Sequence, residues 1–338
     1  MRITVLGAGY MGSAMATVAV MRGHEVRLWG TWLDDPLLDA CDRGEPHPRL
    51  QLPLSGMSWL RADRLAEALD GAELIVHAVN SDGAVPVMTR AAPHLPDVPI
   101  LSVSKGFLES SAGRMDRIDV VVSEKIAGLL PASSRGRPLR FVHAAGPAKA
   151  IEIARRVTTW MVFAGADAER CVSAFGGEHM HIGRTADLAG AEVCSALKNA
   201  YATGLGLWDG LVGVDAHNAR AACFTQSIVE MRRLVVAAGG SVDTVHGAAG
   251  IGDLHVTGAG GRNRAFGERV GRGRPAREVA AEMLAQGQLT EGYPAIATAH
   301  RFARERGVSD LPLLDALHRI IWEDAPVRET LGALRLSV

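Results

Sequence analysis

A chain of 338 residues is longer than one hydrophobic core ordinarily serves, so two domains are expected. With 48% hydrophobic and 22% charged residues it is globular rather than disordered. Its 36 basic and 37 acidic side chains leave a formal net charge of -1, which gives no electrostatic ground for a nucleic-acid partner. Four cysteines, Cys41, Cys171, Cys194 and Cys223, match neither a disulfide framework nor a paired-thiolate zinc site, and a reducing compartment is the simpler reading. The start of the chain lacks the basic segment and apolar stretch of a secretory signal, and no apolar run approaches the roughly 20 residues that span a bilayer. A cytoplasmic chain without stable membrane insertion is the expectation.

Ile3 to Leu6 reads as a short strand, and Gly7-Ala8-Gly9-Tyr10-Met11-Gly12 follows at once. Ser13 to Met21 reads as a helix and Glu25 to Trp29 as a second strand. Further strands are predicted at 74–79, 99–103, 139–143 and 160–163, which makes the first 185 residues or so an α/β unit with a doubly wound parallel sheet. Near Ala189 the character changes. Helices are predicted at 191–207, 218–238, 277–286 and 295–306, with strand candidates scarce, and Trp322 to Pro326 is a candidate helix cap. The expected domains are 1–187, binding a nucleotide, and 188–338, helical.

Gly7, Gly9 and Gly12 stand between a strand and a helix at dinucleotide-binding spacing. The first glycine suits a tight turn, the second a close approach to a pyrophosphate, and the third the packing of helix on strand. The helix start also presents free N–H groups to phosphate. The competing reading is a turn that is only structural. The second strand ends Leu28-Trp29-Gly30-Thr31-Trp32, with neither an acid for a ribose hydroxyl nor an arginine for a ribose phosphate. Asp34 and Asp35 lie a little farther on, where one could turn back to the ribose, and acids there would repel a 2'-phosphate, so NAD is favoured, with NADP as the alternative.

Three later segments set charged or polar residues where packing does not need them: Ser104-Lys105-Gly106, Leu197-Lys198-Asn199 and Gly250-Ile251-Gly252-Asp253-Leu254. Lys198 lies in a mostly apolar helix, with Glu192, Ser195 and Ala202 at three- and four-residue steps. A buried, unpaired ammonium is costly, so this face borders a cleft or a salt bridge; the bland alternative is a solvated lysine. His77, at the end of an apolar strand, is read as packed or beside a cofactor. Cys194 and Cys223 are read as small core residues, and no residue set has metal-ligand spacing.

Over nearly its whole length the chain resembles the NAD(P)-dependent glycerol-3-phosphate dehydrogenases. The resemblance is carried by the glycine turn, by Ser104-Lys105-Gly106 and by Gly146-Pro147-Ala148-Lys149-Ala150-Ile151-Glu152. It continues through Gly190-Ala191-Glu192, Ala196-Leu197-Lys198-Asn199, Asn218, Glu230-Met231 and Gly250 to Thr257, and ends with Arg262-Asn263-Arg264 and Glu291-Gly292.

The resemblance implies a Rossmann-type N-terminal domain and an all-helical C-terminal domain of the 6-phosphogluconate-dehydrogenase-like kind. It implies Lys198 as acid/base residue, Lys105 assisting at the reacting oxygen and Asp253 orienting the site. It sets Gly146, Asn199, Thr257, Arg262 and Asn263, with Lys105, Lys198 and Asp253, around a small phosphorylated substrate. It sets Tyr10, Met11, Trp32, Lys105, Ala148, Arg262 and Glu291, with the three turn glycines, around the cofactor. A homodimer and a place in glycerophospholipid and carbohydrate metabolism are further implications.

Departures cluster near the substrate segments. Gly258-Ala259-Gly260-Gly261 replaces a more cysteine- and serine-bearing approach to Arg262-Asn263, Ala148-Lys149 stands where Ser-Phe is usual, and Asn80-Ser81 replaces Pro-Ser. They keep open a related phosphorylated polyol or hydroxyacid as substrate, or an inactive nucleotide-binding homologue.

Overall fold

The computed structural model describes residues 1–213 and 215–335; the last three residues of the expected second domain lie outside them. The described chain forms two compact units. The first comprises Met1–Lys105, Ser110–Ala112 and Ile118–Leu188; the second comprises Gly106–Glu109, Gly113–Arg117 and Ala189 onward.

Ten strands follow in chain order: β1 (Arg2–Leu6), β2 (Glu25–Trp29), β3 (Ser58–Leu60), β4 (Leu74–His77), β5 (Ile100–Ser102), β6 (Phe107–Glu109), β7 (Met115–Arg117), β8 (Phe141–Ala145), β9 (Thr159–Ala164) and β10 (Met180–Thr185). Eight of them make the sheet of the first unit, in the order β10-β9-β8-β5-β4-β1-β2-β3. From β3 to β8 every pair is parallel; β9 runs antiparallel to β8, and β10 parallel to β9. A parallel sheet is covered by helices on both faces, which is why β1, β4, β5 and β8 read as near-continuous apolar runs instead of alternating ones. The strand order reverses at β1 and β4. A doubly wound sheet opens a crevice there, beyond the carboxyl ends of its strands.

The helix Tyr10–Met21 lays Met15, Val18 and Ala19 on this sheet. Short β3, in a polar stretch, is too brief to show alternation and was not among the strands expected from sequence.

The second unit is helical from Leu188–Val212 onward and also takes in the β6–β7 hairpin. Phe107 of that hairpin stacks on Phe302 at 3.9 Å, and Arg306 lies over the same Phe302 ring while bonding Asp116 at 2.8 Å. Of its longest helices, Leu188–Val212 extends the expected segment at both ends and His217–Ala237 matches the expected one shifted by a single residue. Arg262–Gly271 and Pro312–Trp322 were not expected; the polar sequence of the first hides its period, whereas the second carries a plain apolar stripe of Leu313, Leu314, Leu317, Ile320 and Ile321 at helical spacing. Trp322 ends one helix and Pro326 is the N-cap of the next, Val327–Gly332.

Glycines determine how two of these helices meet. A Cβ at Gly206 would stand 2.1 Å from the Arg264 carbonyl oxygen, and one at Gly210 2.1 Å from that of Glu268. From the other side, Gly267 and Gly271 would strike the carbonyls of Thr203 and Leu207 at 2.1 and 2.3 Å. Paired glycines four residues apart on both helices let Leu188–Val212 and Arg262–Gly271 cross backbone to backbone. Asp209 ties the crossing by accepting from Arg220 at 2.8 Å and from Arg264 at 2.5 Å. The alanines and glycines of the long helix are packing residues.

Candidate active site

The glycine turn leaves the carboxyl end of β1. Gly7 has φ 109 and donates its N–H to the Trp29 carbonyl at 2.8 Å, and an added Cβ would lie 2.6 Å from the Ala78 carbonyl oxygen. At Gly12 a Cβ would meet the Gly7 carbonyl oxygen at 2.0 Å. Packing therefore explains both. It does not explain Gly9, which has φ -70 and whose Cβ would meet only the Arg49 guanidinium, at 3.9 Å. Gly9 is also the N-cap of Tyr10–Met21 and supplies no side-chain cap, so the first N–H groups of that helix lack an intrahelical partner. An open glycine before uncapped amides fits a pyrophosphate.

Two residues hold the turn in shape. His47 is buried; its Nδ1 accepts from the Leu50 amide at 3.2 Å, so Nε2 carries the proton and donates to the Ala8 carbonyl at 2.9 Å. Burial keeps this imidazole below its ordinary pKa, in the neutral form that the arrangement requires. Asp34 turns back as expected, but toward the turn itself. Its Oδ2 accepts from the Ala8 amide at 3.2 Å, the Thr31 amide at 2.9 Å and the Thr31 hydroxyl at 2.9 Å. Asp35 is engaged by Arg61 at 3.3 Å. Trp32 is 39% exposed, with the Arg90 guanidinium 4.1 Å over its ring.

Lys105 follows β5, and Gly146, with φ 118, follows β8, the neighbouring parallel strand. A buried hydroxyl set supports the Lys105 segment. Ser104 Oγ donates to the Val79 carbonyl at 2.7 Å and lies 3.3 Å from His77 Nδ1, which is equally near Ser102 Oγ. Burial pushes His77 down to about 4, so it is a neutral packed residue. Asn80 caps the helix Ser81–Ala91, accepting from Gly83 N at 3.0 Å, which gives that departure a structural reason. Ala148 is half-buried, and Lys149 pairs with Glu152 at 3.6 Å.

In the second unit Lys198 is 6% exposed, and its Nζ donates to Oδ1 of Asp253, which is 0% exposed. A solvated lysine is excluded; the salt bridge allowed for in the sequence is what the fold provides. Glu192, six residues earlier on the same helix, faces Arg117 at 3.4 Å. Asp253 reaches Lys198 through a one-turn π-helix, Ala248–Gly252, closed by the Gly252 amide on the Gly247 carbonyl at 3.3 Å. Gly250 is obligatory in it, because a Cβ would fall 2.0 Å from the Val245 carbonyl oxygen. Such widened turns occur often at functional sites. Asp253 Oδ2 is buried and has no hydrogen-bond partner among the described residues.

Beside this pair runs an amide chain whose orientation is determined throughout. The Gly292 amide can only donate, and it donates to Asn263 Oδ1 at 2.9 Å. Asn263 Nδ2 therefore donates to Asn199 Oδ1 at 2.8 Å, and Asn199 Nδ2 to Glu291 Oε2 at 2.9 Å. The glycine crossing brings these helices close enough for the middle bond. Arg262 opens the helix Arg262–Gly271 behind Gly261, whose φ is 114, and no side chain caps that terminus. The Arg262 guanidinium is exposed and has no partner among the described residues. An uncapped helix start beside a free guanidinium suits an anion. Thr257 is half-buried on the preceding helix, and a Cβ at Gly258 would strike Leu205 Cδ1 at 2.3 Å.

The sequence-derived residues thus gather in two groups. Gly7, Gly9, Tyr10, Met11 and Gly12 form one turn of the first unit, whose strand ends also carry Trp32, Lys105, Gly146 and Ala148. Lys198 with Asp253, and Asn199 with Asn263 and Glu291, form contacts of the second, where Thr257 and Arg262 also lie. His47 and Arg49 escaped the sequence reading: a lone histidine and an arginine in a loop carry no periodic signal. Cys223 is buried, its thiol pushed up to about 12, and Cys194 is buried in the long helix. Among the described residues no three metal-ligating side chains gather, and no helix is long and apolar enough to cross a membrane.

A doubly wound sheet with an open glycine at its switch point suits a dinucleotide, and the helical unit is built around a buried lysine–aspartate pair. The model of the N-terminus of NAD-dependent glycerol-3-phosphate dehydrogenase matches residues 2–171, and that of the C-terminus residues 187–332. The NADP(+)-dependent glycerol-3-phosphate dehydrogenase of Archaeoglobus fulgidus is 34% identical over 99% of both chains. The glycerol-3-phosphate dehydrogenase [NAD(P)+] of Thiobacillus denitrificans is 36% identical over 99% of this chain and 97% of its own. The crystal structure of glycerol-3-phosphate dehydrogenase from Coxiella burnetii superposes with a TM-score of 0.83 at 29% identity, covering 98% of this chain and 97% of that one. The chain belongs to the NAD(P)-dependent glycerol-3-phosphate dehydrogenase family.

Proposed function

We propose that the chain interconverts glycerol 3-phosphate and dihydroxyacetone phosphate. The observation that carries this reading is the Lys198 ammonium, buried against Asp253 in a mostly apolar helix. Such a group is expensive to bury without use, and a lysine amine suits proton transfer to an alcohol or carbonyl oxygen.

A nicotinamide, when bound, would supply or accept the hydride. In oxidation the Lys198 amine takes the substrate hydroxyl proton, and in reduction its ammonium returns a proton to the carbonyl oxygen. Asp253 holds Nζ in direction, and Lys105 stabilises negative charge on the reacting oxygen. Arg262, with the uncapped amides of its helix, binds the substrate phosphate, and Thr257, Asn199 and Asn263 complete that pocket. Gly146 lets substrate approach the backbone beyond β8. Gly7, Gly9, Tyr10, Met11 and Gly12 hold the pyrophosphate, with Trp32, Lys105, Ala148, Arg262 and Glu291 along the rest of the dinucleotide. A cytoplasmic homodimer belongs to the same reading, on the strength of the family likeness.

NAD is the cofactor proposed from the acidic segment after β2. A second reading, NADP, is favoured by two observations: Asp34 Oδ2 and Asp35 are engaged by protein groups, and Arg49 supplies a cation beside Gly9.

The test is a substrate panel followed by nicotinamide absorbance: glycerol 3-phosphate, glycerol, hydroxyacids and other polyol phosphates, each with both cofactors. Glycerol 3-phosphate is expected to give the highest kcat/KM. Arg262→Ala is expected to raise KM for it more than for unphosphorylated substrates, and equal effects on the two would count against a phosphate role. A hydroxyacid that outperforms every phosphate ester would overturn the assignment. Arg49→Ala is expected to lower kcat/KM for NADP more than for NAD; equal losses refute the second cofactor reading.

A further inference from the structure

The helix Tyr10–Met21 begins at the glycine turn and ends, twelve residues on, beside a cavity of about 320 Å³. At 1.5 Å per residue the two ends are roughly 18 Å apart, so this cavity is separate from the dinucleotide turn. Its floor is core of the first unit: Val18, Ile153, Phe175 and Met180. The volume falls at the lower end of the range, about 300–1,000 Å³, that encloses small ligands.

Two guanidiniums border it. Arg22, the C-cap of Tyr10–Met21, lies across Gly177, where an added Cβ would stand 3.3 Å from Nη1. Arg156 follows the helix Ala150–Ala154. Neither side chain has a partner among the described residues. Glu178, the acid among the lining residues, has a side chain 90% exposed and lies 3.9 Å from His179, so solvent screens it.

Arg156 sits where glycine is the default. Its φ is 61, its N–H donates to Ile153 O at 3.0 Å, and Val157 N closes on Glu152 O at 2.9 Å, the pattern of a left-handed helix end. The helix Tyr10–Met21 ends with the same pair of bonds and uses Gly23, with φ 77, at that position. An arginine kept in a strained conformation, facing a cavity, points to a use for its side chain. Complementing the helix C-termini is the bland use. Those termini carry about half a negative charge each, however, against a full positive charge on each guanidinium.

We propose that this cavity binds a small amphiphilic anion, its carboxylate or phosphomonoester head held by Arg22 and Arg156 and its apolar body lying on Met21, which is 40% exposed, over the core residues Val18, Ile153 and Met180. The test is titration calorimetry on the full chain with decanoate, decyl phosphate, decanol and inorganic phosphate. One or both amphiphiles are expected to bind a single site with Kd at or below about 100 µM, and decanol and inorganic phosphate at least about tenfold more weakly. Whichever head binds more tightly identifies the source. Arg22→Gln and Arg156→Gly are each expected to weaken binding at least about fivefold. Arg156→Gly relieves the strained backbone and should keep Tm within about 3 °C. Should Arg22→Gln fail to fold, Arg156→Gly decides alone. Absence of binding by both amphiphiles, equal binding of decanol, or affinity unchanged in Arg156→Gly overturns the proposal.

Discussion

Lys198→Met keeps the aliphatic stem and removes the ammonium. What remains is an Asp253 carboxylate with 0% exposure, already without a hydrogen-bond partner at Oδ2 among the described residues, and now without its cation at Oδ1. Removing one member of a buried ion pair costs about 3–5 kcal/mol, a large share of the roughly 5–15 kcal/mol that holds a domain together. At roughly 2–4 °C per kcal/mol the melting temperature should fall by about 6–20 °C. Removing both charges, Lys198→Met with Asp253→Leu, takes out the stranded carboxylate and should return stability to within about 1.5 kcal/mol of the parent.

The coupling between the two sites should therefore exceed about 1.5 kcal/mol. Turnover should behave differently: the single and double variants are both expected to lose about 10²–10⁴-fold in kcat, because general acid–base catalysis is worth that much. Denaturant melts and nicotinamide-absorbance assays on the four proteins separate the two effects. A Lys198→Met protein as stable as the parent would refute the electrostatic account, and one with comparable turnover would remove this amine from the chemistry.

Three further outcomes follow from the geometry. Gly12→Ala should destabilise by about 1–3 kcal/mol, since its Cβ meets a backbone oxygen at 2.0 Å, whereas Gly9→Ala should leave stability nearly unchanged and weaken dinucleotide binding; thermal melts with and without cofactor distinguish these. Gly267→Ala should force the helix crossing apart against the Thr203 carbonyl and break the Asn199–Asn263 bond, lowering Tm and kcat/KM together; a variant unchanged in both would show that the crossing is loose.

Glu230 is buried and accepts from Gln226, Tyr201 and the amides of Leu313 and Leu314 at the start of Pro312–Trp322. Burial raises it from the ordinary 4.5 to about 7, against the lowering effect of those donors. A raised acid binds more protons folded than unfolded, so its contribution is greatest below pH 4.5 and falls by up to about 3 kcal/mol as pH rises to 7. Glu230→Gln should flatten that slope in melts across this range; a slope identical to the parent's would rule out Glu230 as its source.

How much of this protein could be read along the chain depends on whether the cause is local. A strand, glycine turn and helix need only neighbours in sequence, so β1, the glycine turn and Tyr10–Met21 were legible, and with them the class of fold. Lys198 was legible as an anomaly, because an ammonium inside an apolar helix must find a counter-charge. Residue types and periodicity did not name that counter-charge; only the resemblance pointed to Asp253, which lies 55 residues away and arrives through a π-turn.

The same limit hid His47, whose role is one hydrogen bond to the Ala8 carbonyl across 39 residues. It also hid the β6–β7 hairpin, which packs with a unit that begins in earnest at Ala189. Asp34 shows the limit from the other side: its residue type suggested a ribose contact, and the fold turned its Oδ2 to the Ala8 amide. Residue types and spacing alone determined the dinucleotide turn, the helical second half and the need for a partner to Lys198. How Asp253 reaches Lys198, how Asn199 meets Asn263, and why four glycines sit on two crossing helices were decided only in three dimensions, because each is a contact between backbones or side chains that sequence separation makes invisible.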